Sequence, residues 1–446
     1  MENRAGLLAC LTLFATPALP APAADRAFPS YTGIKFLLDA QAQQLPPDLK
    51  GADEAKWLAW ARREDKAIRA RLEQGDLDTL VNFLLYGVSF TKQPPLRMER
   101  LTEAAKSGAL RARVNDLAAG LRDPGSNERL IFLQELVRNQ GIDPASDHGE
   151  TGSFIYNQLL RVLEQRKALG ERAARDTSRS SLFHDRGLSL DTTIFAAFSI
   201  DRTLRDLKQR GVLREGQVAR VAVVGPGLDF IDKNEDSAYD YYPPQTLQPF
   251  ALYDSLLRLG LAKQDALSIA ILDISPRVIA HLQRARERAA RNAGYVLQLP
   301  RNSVHPWPAE LATYWGSFGK YSGDAIEPMR PPEVFAGLET RAVRINPSVV
   351  LACEPADLNI VLERLSSPSA QFDLIVATNV FVYYDAFEQS LALENAGALL
   401  KPGGLLLTND RLPAISGGSM RLEGFTAVPS GSSGAAGEGI GWYRKQ

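Results

Sequence analysis

A chain of 446 residues, 45% apolar and 23% charged, is long enough for about two or three globular domains. Its formal net charge of -1 removes any electrostatic case for nucleic acid as a partner. Two cysteines, Cys10 and Cys353, exclude a disulfide framework and a cysteine zinc site, and the histidines 148, 184, 281 and 305 lack the HxxxH spacing of a metal centre on one helix.

The chain opens with Arg4, an apolar stretch over residues 5–18 and the run Ala21-Pro22-Ala23-Ala24, which offers an A-x-A cleavage site. Residues 1–24 therefore read as a secretory signal. A retained extension is the other reading, because Glu2 offsets Arg4. No later run is long enough to span a bilayer. Residues 25–185 read as an all-α domain, with amphipathic stretches at 52–74, 79–86, 101–121, 128–139 and 154–174. Turn signals such as Gly75-Asp76, Gln93-Pro94-Pro95 and Asp123-Pro124-Gly125 separate them. No fixed period repeats, which argues against a solenoid, and the polar residues 176–181 suit a linker.

Residues 186–446 read as a second domain. Asp191 is placed to cap a helix whose apolar residues Ala197, Ile200, Leu204 and Leu207 follow helical spacing up to Gly211. Apolar, β-branched runs then predict strands near 218–224, 268–273, 349–353, 372–377 and 404–408, separated by helical patterns, as in a parallel sheet with crossover helices. Two last runs, 424–428 and 439–444, flank a Gly/Ser-rich stretch and predict an antiparallel hairpin. Insertions near 232–250 and 294–347 interrupt this pattern. The first holds Tyr239, Tyr241 and Tyr242 among acids and prolines, and reads either as a recognition loop walling an acceptor site or as a surface loop packed on the helical domain. The second reads as a small subdomain over the same edge.

Two places carry chemistry. In Gly225-Pro226-Gly227-Leu228-Asp229 the glycines let backbone approach a ligand, although a tight structural turn uses them equally well. Asp229 stands where a third glycine is usual, which disfavours a pyrophosphate and with it a nicotinamide oxidoreductase. Asp273 closes the second strand, where a carboxylate accepts two hydrogen bonds from ribose hydroxyls; the alternative is an N-cap for the helix starting at Pro276, a role Ser275 fits better.

Taken in order, VAVVGPGLDF (221–230), SIAILDISP (268–276), FDLIVATNVFVYYD (372–385) and LLKPGGLLLTND (399–410) resemble the class I methyltransferases that use S-adenosylmethionine. The resemblance covers residues from about 191 to the C-terminus and departs from the usual pattern at Val223 and Asp229. It implies an α/β, Rossmann-like seven-stranded sheet ending in the antiparallel hairpin. It also implies S-adenosylmethionine held by Gly225, Pro226, Gly227, Asp229, Asp273, Ile274 and Asn379, with Glu354, Pro355 and Ala356, up to Asp357, at the adenine amine. Helix capping by Asp357 is the alternative there. Asn379-Val380 followed by Tyr383-Tyr384-Asp385 is similar to the motif of chemoreceptor-glutamate methyltransferases, which implies a carboxylate or other oxygen on a small-molecule or protein acceptor.

In-line methyl transfer requires no dedicated nucleophile, and the candidates for a base are Tyr242 and Tyr383, then Asp229 and His305. The rival expectation is an exported binding protein that keeps the fold without catalysis. A signal-like N-terminus points to export, whereas the supply of this cofactor points to the cytoplasm.

Overall fold

The protein is described by a computed structural model covering residues 26–173, 186–228, 239–302, 307–335, 337–365, 371–413, 415–429 and 437–446. The signal-like segment, the linker at 176–181, Asp229, His305 and residues 232–238 of the first insertion lie outside the described residues.

The N-terminal part runs through β1 (Arg26–Ala27), α1 (Tyr31–Ala40), α2 (Glu54–Tyr86), α3 (Leu101–Lys106), α4 (Ala109–Arg122), α5 (Glu128–Asn139) and α6 (His148–Ala173). Helix α7 (Ile194–Gln209) leads into β2 (Arg220–Val224), α8 (Gln248–Arg258), β3 (Ser268–Asp273) and α9 (Pro276–Ala290). The second insertion is a three-stranded antiparallel sheet of β4 (Tyr295–Asn302), β5 (Gly323–Ile326) and β6 (Leu338–Ile345), in the order β4-β6-β5, with α10 (Ala309–Ser317) beside it. Then come α11 (Pro347–Leu351), β7 (Cys353–Asp357), β8 (Arg364–Leu365), β9 (Phe372–Ala377), α12 (Ala386–Leu399), β10 (Leu400–Thr408), β11 (Met420–Pro429) and β12 (Gly437–Lys445).

Seven strands form the main sheet in the order β11-β12-β10-β9-β2-β3-β7. Neighbours from β10 to β7 are parallel, and β12 runs antiparallel to both β10 and β11. The chain steps outward from β2 through β3 to β7, then returns to lay β9 on the other side of β2. That reversal places a crevice at the carboxyl ends of β2 and β9, where ligands of open α/β sheets bind. The sheet has the seven-stranded, mostly parallel form that the resemblance implies.

The central strands β2, β3 and β9 are buried on both faces, which is why their middles are continuous apolar runs. Val221, Val223, Ile269, Ile271, Leu374 and Val376 face α7, α8 and α9. Alternate residues Ala222, Val224, Leu272 and Ile375 face α12 and, across from it in sequence, α1 and the first half of α2 through Ile34, Leu37, Trp57, Trp60 and Ile68. The second half of α2, from Leu80, packs with α3 to α6 around a separate core. Residues 26–173 therefore serve two cores, and β1 pairs with β8 far along the chain.

Three elements differ from expectation for identifiable reasons. Helix α2 passes unbroken through Gly75, because a Cβ there would lie 1.8 Å from the Leu188 carbonyl oxygen, so glycine admits a crossing segment rather than ending the helix. Thr193, not Asp191, caps α7, accepting the Ala196 N–H, while the Ser189 hydroxyl donates to Asp191 at 3.0 Å. Val349 and Val350 belong to α11, begun by Pro347 with its helix-compatible φ, and the third parallel strand is Cys353–Asp357.

Asp385 forms a reciprocal cap on α12: its Oδ1 accepts the Glu388 N–H at 2.8 Å, and Glu388 Oε2 accepts the Asp385 N–H at 2.8 Å. Asp385→Ala is expected to cost about 1 kcal/mol, read as a lower urea midpoint at constant slope.

Candidate functional site

At the end of β2 the chain turns through Gly225 (φ 60°) and Gly227 (φ 69°), both left-handed. The Gly225 N–H donates to the Leu272 carbonyl at 3.0 Å, tying the turn to β3. A Cβ on Gly225 would sit 2.9 Å from Val380 Cγ2, and one on Gly227 would sit 2.3 Å from the Leu190 carbonyl oxygen. The close approach Gly227 permits is thus taken up by the protein's own backbone. From the other side Thr246 Oγ1 donates to the Gly227 carbonyl at 3.0 Å. Thr246 is held in turn: its N–H donates to Tyr295 Oη (2.8 Å), which lies 2.7 Å from His281 Nε2. Burial pushes the His281 imidazole down to about 4, so at neutral pH it is uncharged and shares one hydrogen bond with the Tyr295 hydroxyl.

Asp273 ends β3 beside this turn. One carboxylate oxygen accepts the Ser275 N–H at 2.7 Å; the other, Oδ2, is buried without a hydrogen-bond partner among the described residues. Burial pushes its pKa up to about 7, against the lowering effect of the Ser275 and Ile274 N–H groups. Ser275 caps α9 by accepting the Val278 N–H, so capping does not account for Asp273.

Asp357 is level with Asp273 on the neighbouring strand. Glu354, three residues earlier, is exposed and about 10 Å back along the strand, while Pro355 and Ala356 lie inside it. The acid level with Asp273 at the carboxyl end of the sheet is Asp357, because β7 starts four residues later than the strand expected at 349–353. On the far side of the reversal Asn379 adopts φ 58°. Its N–H donates to Asn409 Oδ1 (2.8 Å) and its Oδ1 accepts from Asn409 Nδ2 (2.7 Å), so the two loops hold each other across β9 and β10. Gln248 Nε2 donates to Thr378 Oγ1 at 2.6 Å, joining the start of α8 to the same loop.

Tyr239 and Tyr242 pack with Val88 and Phe335 in a small buried cluster that Tyr241 flanks. Asp240 between them accepts the Val88 and Ser89 N–H groups, and Arg129 lies over the Tyr242 ring at 5.5 Å. The described half of this insertion is thus fastened to the end of α2. Burial pushes the Tyr241 hydroxyl up to about 12. Tyr383 is half-buried, and its carbonyl accepts from Arg71 Nη2 at 2.8 Å.

Arg71 is one of several groups of α2 that reach over the carboxyl ends of the strands. Arg69 Nη1 donates to Asp357 Oδ1 at 2.9 Å and to the Ile274 carbonyl at 3.4 Å, and Arg26 adds a second ion pair to Asp357 at 2.5 Å. Asp76, its pKa pushed up to about 6 by burial, pairs with Arg277 of α9 at 3.4 Å. Between α2 and the Gly227 turn runs the segment 186–191. Among the described residues no group of His, Cys, Asp and Glu is arranged to hold a metal ion.

No family model matches the chain, and no curated protein matches it. Among solved structures it is similar to the N-methyltransferase NodS from Bradyrhizobium japonicum WM9 in complex with S-adenosyl-L-homocysteine, at 16% identity over 63% of this chain and 98% of that one, with a TM-score of 0.28. A TehB-like SAM-dependent methyltransferase from Corynebacterium glutamicum shows 11% identity over 56% of this chain and 98% of its own, with a TM-score of 0.24. Magnesium protoporphyrin IX methyltransferase from Synechocystis PCC 6803 with bound SAM shows 9% over 56% and 80%, with a TM-score of 0.26. The strand order, rather than these overlaps, carries the fold.

Sequence reasoning missed Arg69, Arg71 and the segment 186–191. The one local hint was Gly75, a helix-weakening residue inside an amphipathic pattern.

Proposed function

We propose that the chain is an S-adenosylmethionine-dependent methyltransferase acting on a small-molecule or protein acceptor. Asp273 carries this reading: a buried carboxylate at the carboxyl edge, next to the reversal in strand order, with one oxygen anchored and the other unpartnered among the described residues. A ribose fits it, since two adjacent hydroxyls donate to a single carboxylate. Gly225, Pro226 and Gly227 bring backbone rather than side chains to that edge, and Ile274 and Asp357 border the adenosyl side.

When bound, the cofactor supplies an electrophilic methyl group on a sulfonium. The protein's part is to hold donor and acceptor in line and to exclude water. The N-terminal arginines and residues 186–191, lying over the ends of β2, β3 and β7, provide the exclusion. Asn379, locked to Asn409, forms the opposite wall. The likeness of 379–385 to the chemoreceptor-glutamate enzymes favours oxygen as the methyl acceptor, with Tyr383 close to that wall and Tyr242 as the alternative proton acceptor. Calorimetric titration of the purified protein with S-adenosylhomocysteine at pH 8 is expected to show one site of micromolar affinity; a flat titration at millimolar ligand would count against the reading.

A further inference from the structure

Asp273 does not stand alone at the carboxyl edge. Asp357 is its register partner on β7, so their Cα atoms lie about 4.8 Å apart, and the Leu358 N–H donates to the Asp273 carbonyl at 3.0 Å. Two carboxylates side by side discourage each other's ionisation. The other titratable groups around this corner are Tyr384 after β9, Arg71 and Asp76 of α2, and Arg277 of α9. Arg71 lies 5.8 Å from the centre of the Tyr384 ring, whose hydroxyl burial keeps protonated, and Asp76 pairs with Arg277. Asp357 is the charge that acts on Asp273, and it favours the neutral acid. Burial has already raised Asp273 to about 7, so a further rise leaves it mostly protonated at neutral pH.

Both oxygens of Asp357 carry a guanidinium. Oδ1 accepts from Arg69 Nη1 at 2.9 Å, and Oδ2 pairs with Arg26 Nη1 at 2.5 Å. Arg69 is aimed by further partners: its Nε donates to Asp65 at 3.0 Å, its Nη1 reaches the Ile274 carbonyl at 3.4 Å, and Asn359 Nδ2 holds Asp65 at 2.8 Å. Arg26 is placed by the pairing of β1 with β8. Glu363 lies 3.6 Å from Arg26 and 3.5 Å from Arg69, so Asp65, Asp357 and Glu363 share these two cations. Losing either cation adds net negative charge beside Asp273.

We propose that Arg69 and Arg26 are positioning residues for the cofactor: by taking up the charge of Asp357, they leave Asp273 to stand as the anion that receives the ribose. This rests on the cofactor reading above and adds the N-terminal part of the chain to the cofactor site. It also withdraws Asp357 from the adenine amine, because its oxygens are already engaged.

Calorimetric titration of the full-length protein with S-adenosylhomocysteine, from about pH 5.5 to 9, tests the assignment. Affinity rises as Asp273 ionises, and the midpoint of that rise is the quantity compared. Arg69→Met removes a cation and is expected to move the midpoint up by about 0.5–1 pH unit. Asp357→Asn removes the anion, leaves both arginines, and is expected to move it down by a similar amount. Arg26→Gln, at an exposed position, repeats the upward shift should Arg69→Met fold poorly. A second readout needs no ligand: urea stability in each background, with and without Asp273→Asn. The stability that Asp273 costs grows with pH and levels off once the folded carboxyl has ionised, so the levelling point should follow the binding midpoint.

Opposite shifts in both readouts support the assignment. Weaker binding in every variant at an unmoved midpoint overturns it and leaves the cofactor site standing, since a purely structural loss moves no titration. Absence of binding in all the proteins, with the levelling points still displaced in opposite directions, overturns the cofactor reading and this role with it.

Discussion

Asp273→Ala is expected to weaken S-adenosylhomocysteine binding by at least about 100-fold while leaving the protein as stable as before, or more so, at pH 8. Hydrogen bonds to an ionised carboxylate contribute about 1.5–3 kcal/mol each, and a ribose makes two of them. Stability moves the other way because burial has raised this carboxyl to about 7. Below the ordinary carboxylate range it is neutral in both the folded and the unfolded chain. As pH rises from about 4 toward 7 the unfolded chain ionises first, so the folded state progressively loses stability through this group. Alanine removes that loss, and with it the one short contact to the Ser275 N–H. The same titration predicts that ligand affinity rises with pH through 7, since only the ionised form accepts both hydroxyls. Calorimetry near neutral pH in two buffers of different ionisation enthalpy should show proton release on binding. Affinity that stays level between about pH 5.5 and 8 would remove Asp273 from the role of ribose acceptor.

Arg113→Met is expected to cost about 3–5 kcal/mol, because several buried acceptors lose their donor at once. The Arg113 side chain is fully buried in α4 and donates to four carbonyls: Leu84 (2.7 Å), Gln93 (2.8 Å), Pro94 (3.0 Å) and Gly87. Its guanidinium also lies 5.1 Å from the centre of the Phe90 ring. Burial lowers its pKa only to about 10, against the raising effect of Asp240 and Asp116, so the group remains a cation at neutral pH while its hydrogen bonds go to carbonyls. Methionine fills the space but strands four acceptors where α2 ends. Urea unfolding measures the cost. A loss below about 1 kcal/mol would mean that water reaches those carbonyls once the arginine is gone.

The parts of the fold that are legible in the sequence are those whose signal is local. Residues 221–224, 269–272 and 374–376 are apolar at every position because both faces of the sheet are covered, and such runs stand out in any window. The third parallel strand is harder to place, since Val349-Val350 is too short a run for periodicity to separate strand from helix. Asp273 is visible as a position, but its burial and its unpartnered oxygen are not. Residues 186–191 leave little trace because the bonds that tie them to α2 and to the glycine turn are made largely by backbone atoms. Arg69 and Arg71 look like ordinary charges on a helix, as their partners Asp357 and Tyr383 are 288 and 312 residues away. Gly75 carried the information in disguised form: a residue that usually weakens a helix was there for the segment crossing it.

That shared core also dictates when the protein can fold during synthesis. Trp57 and Trp60 stack on each other at 5.4 Å, and Trp60 meets Phe387 edge-on at 5.6 Å. Arg26 and Ala27 pair with residues 364 and 365. The first helices emerge from the ribosome long before these partners exist, so two tryptophans and the apolar faces around them wait, uncovered, until translation is nearly complete. Contacts of such sequence separation form slowly and expose the nascent chain to aggregation. Helix α1 and the first half of α2 are thus made well before the residues that cover them, whereas α3 to α6 close a core of local contacts.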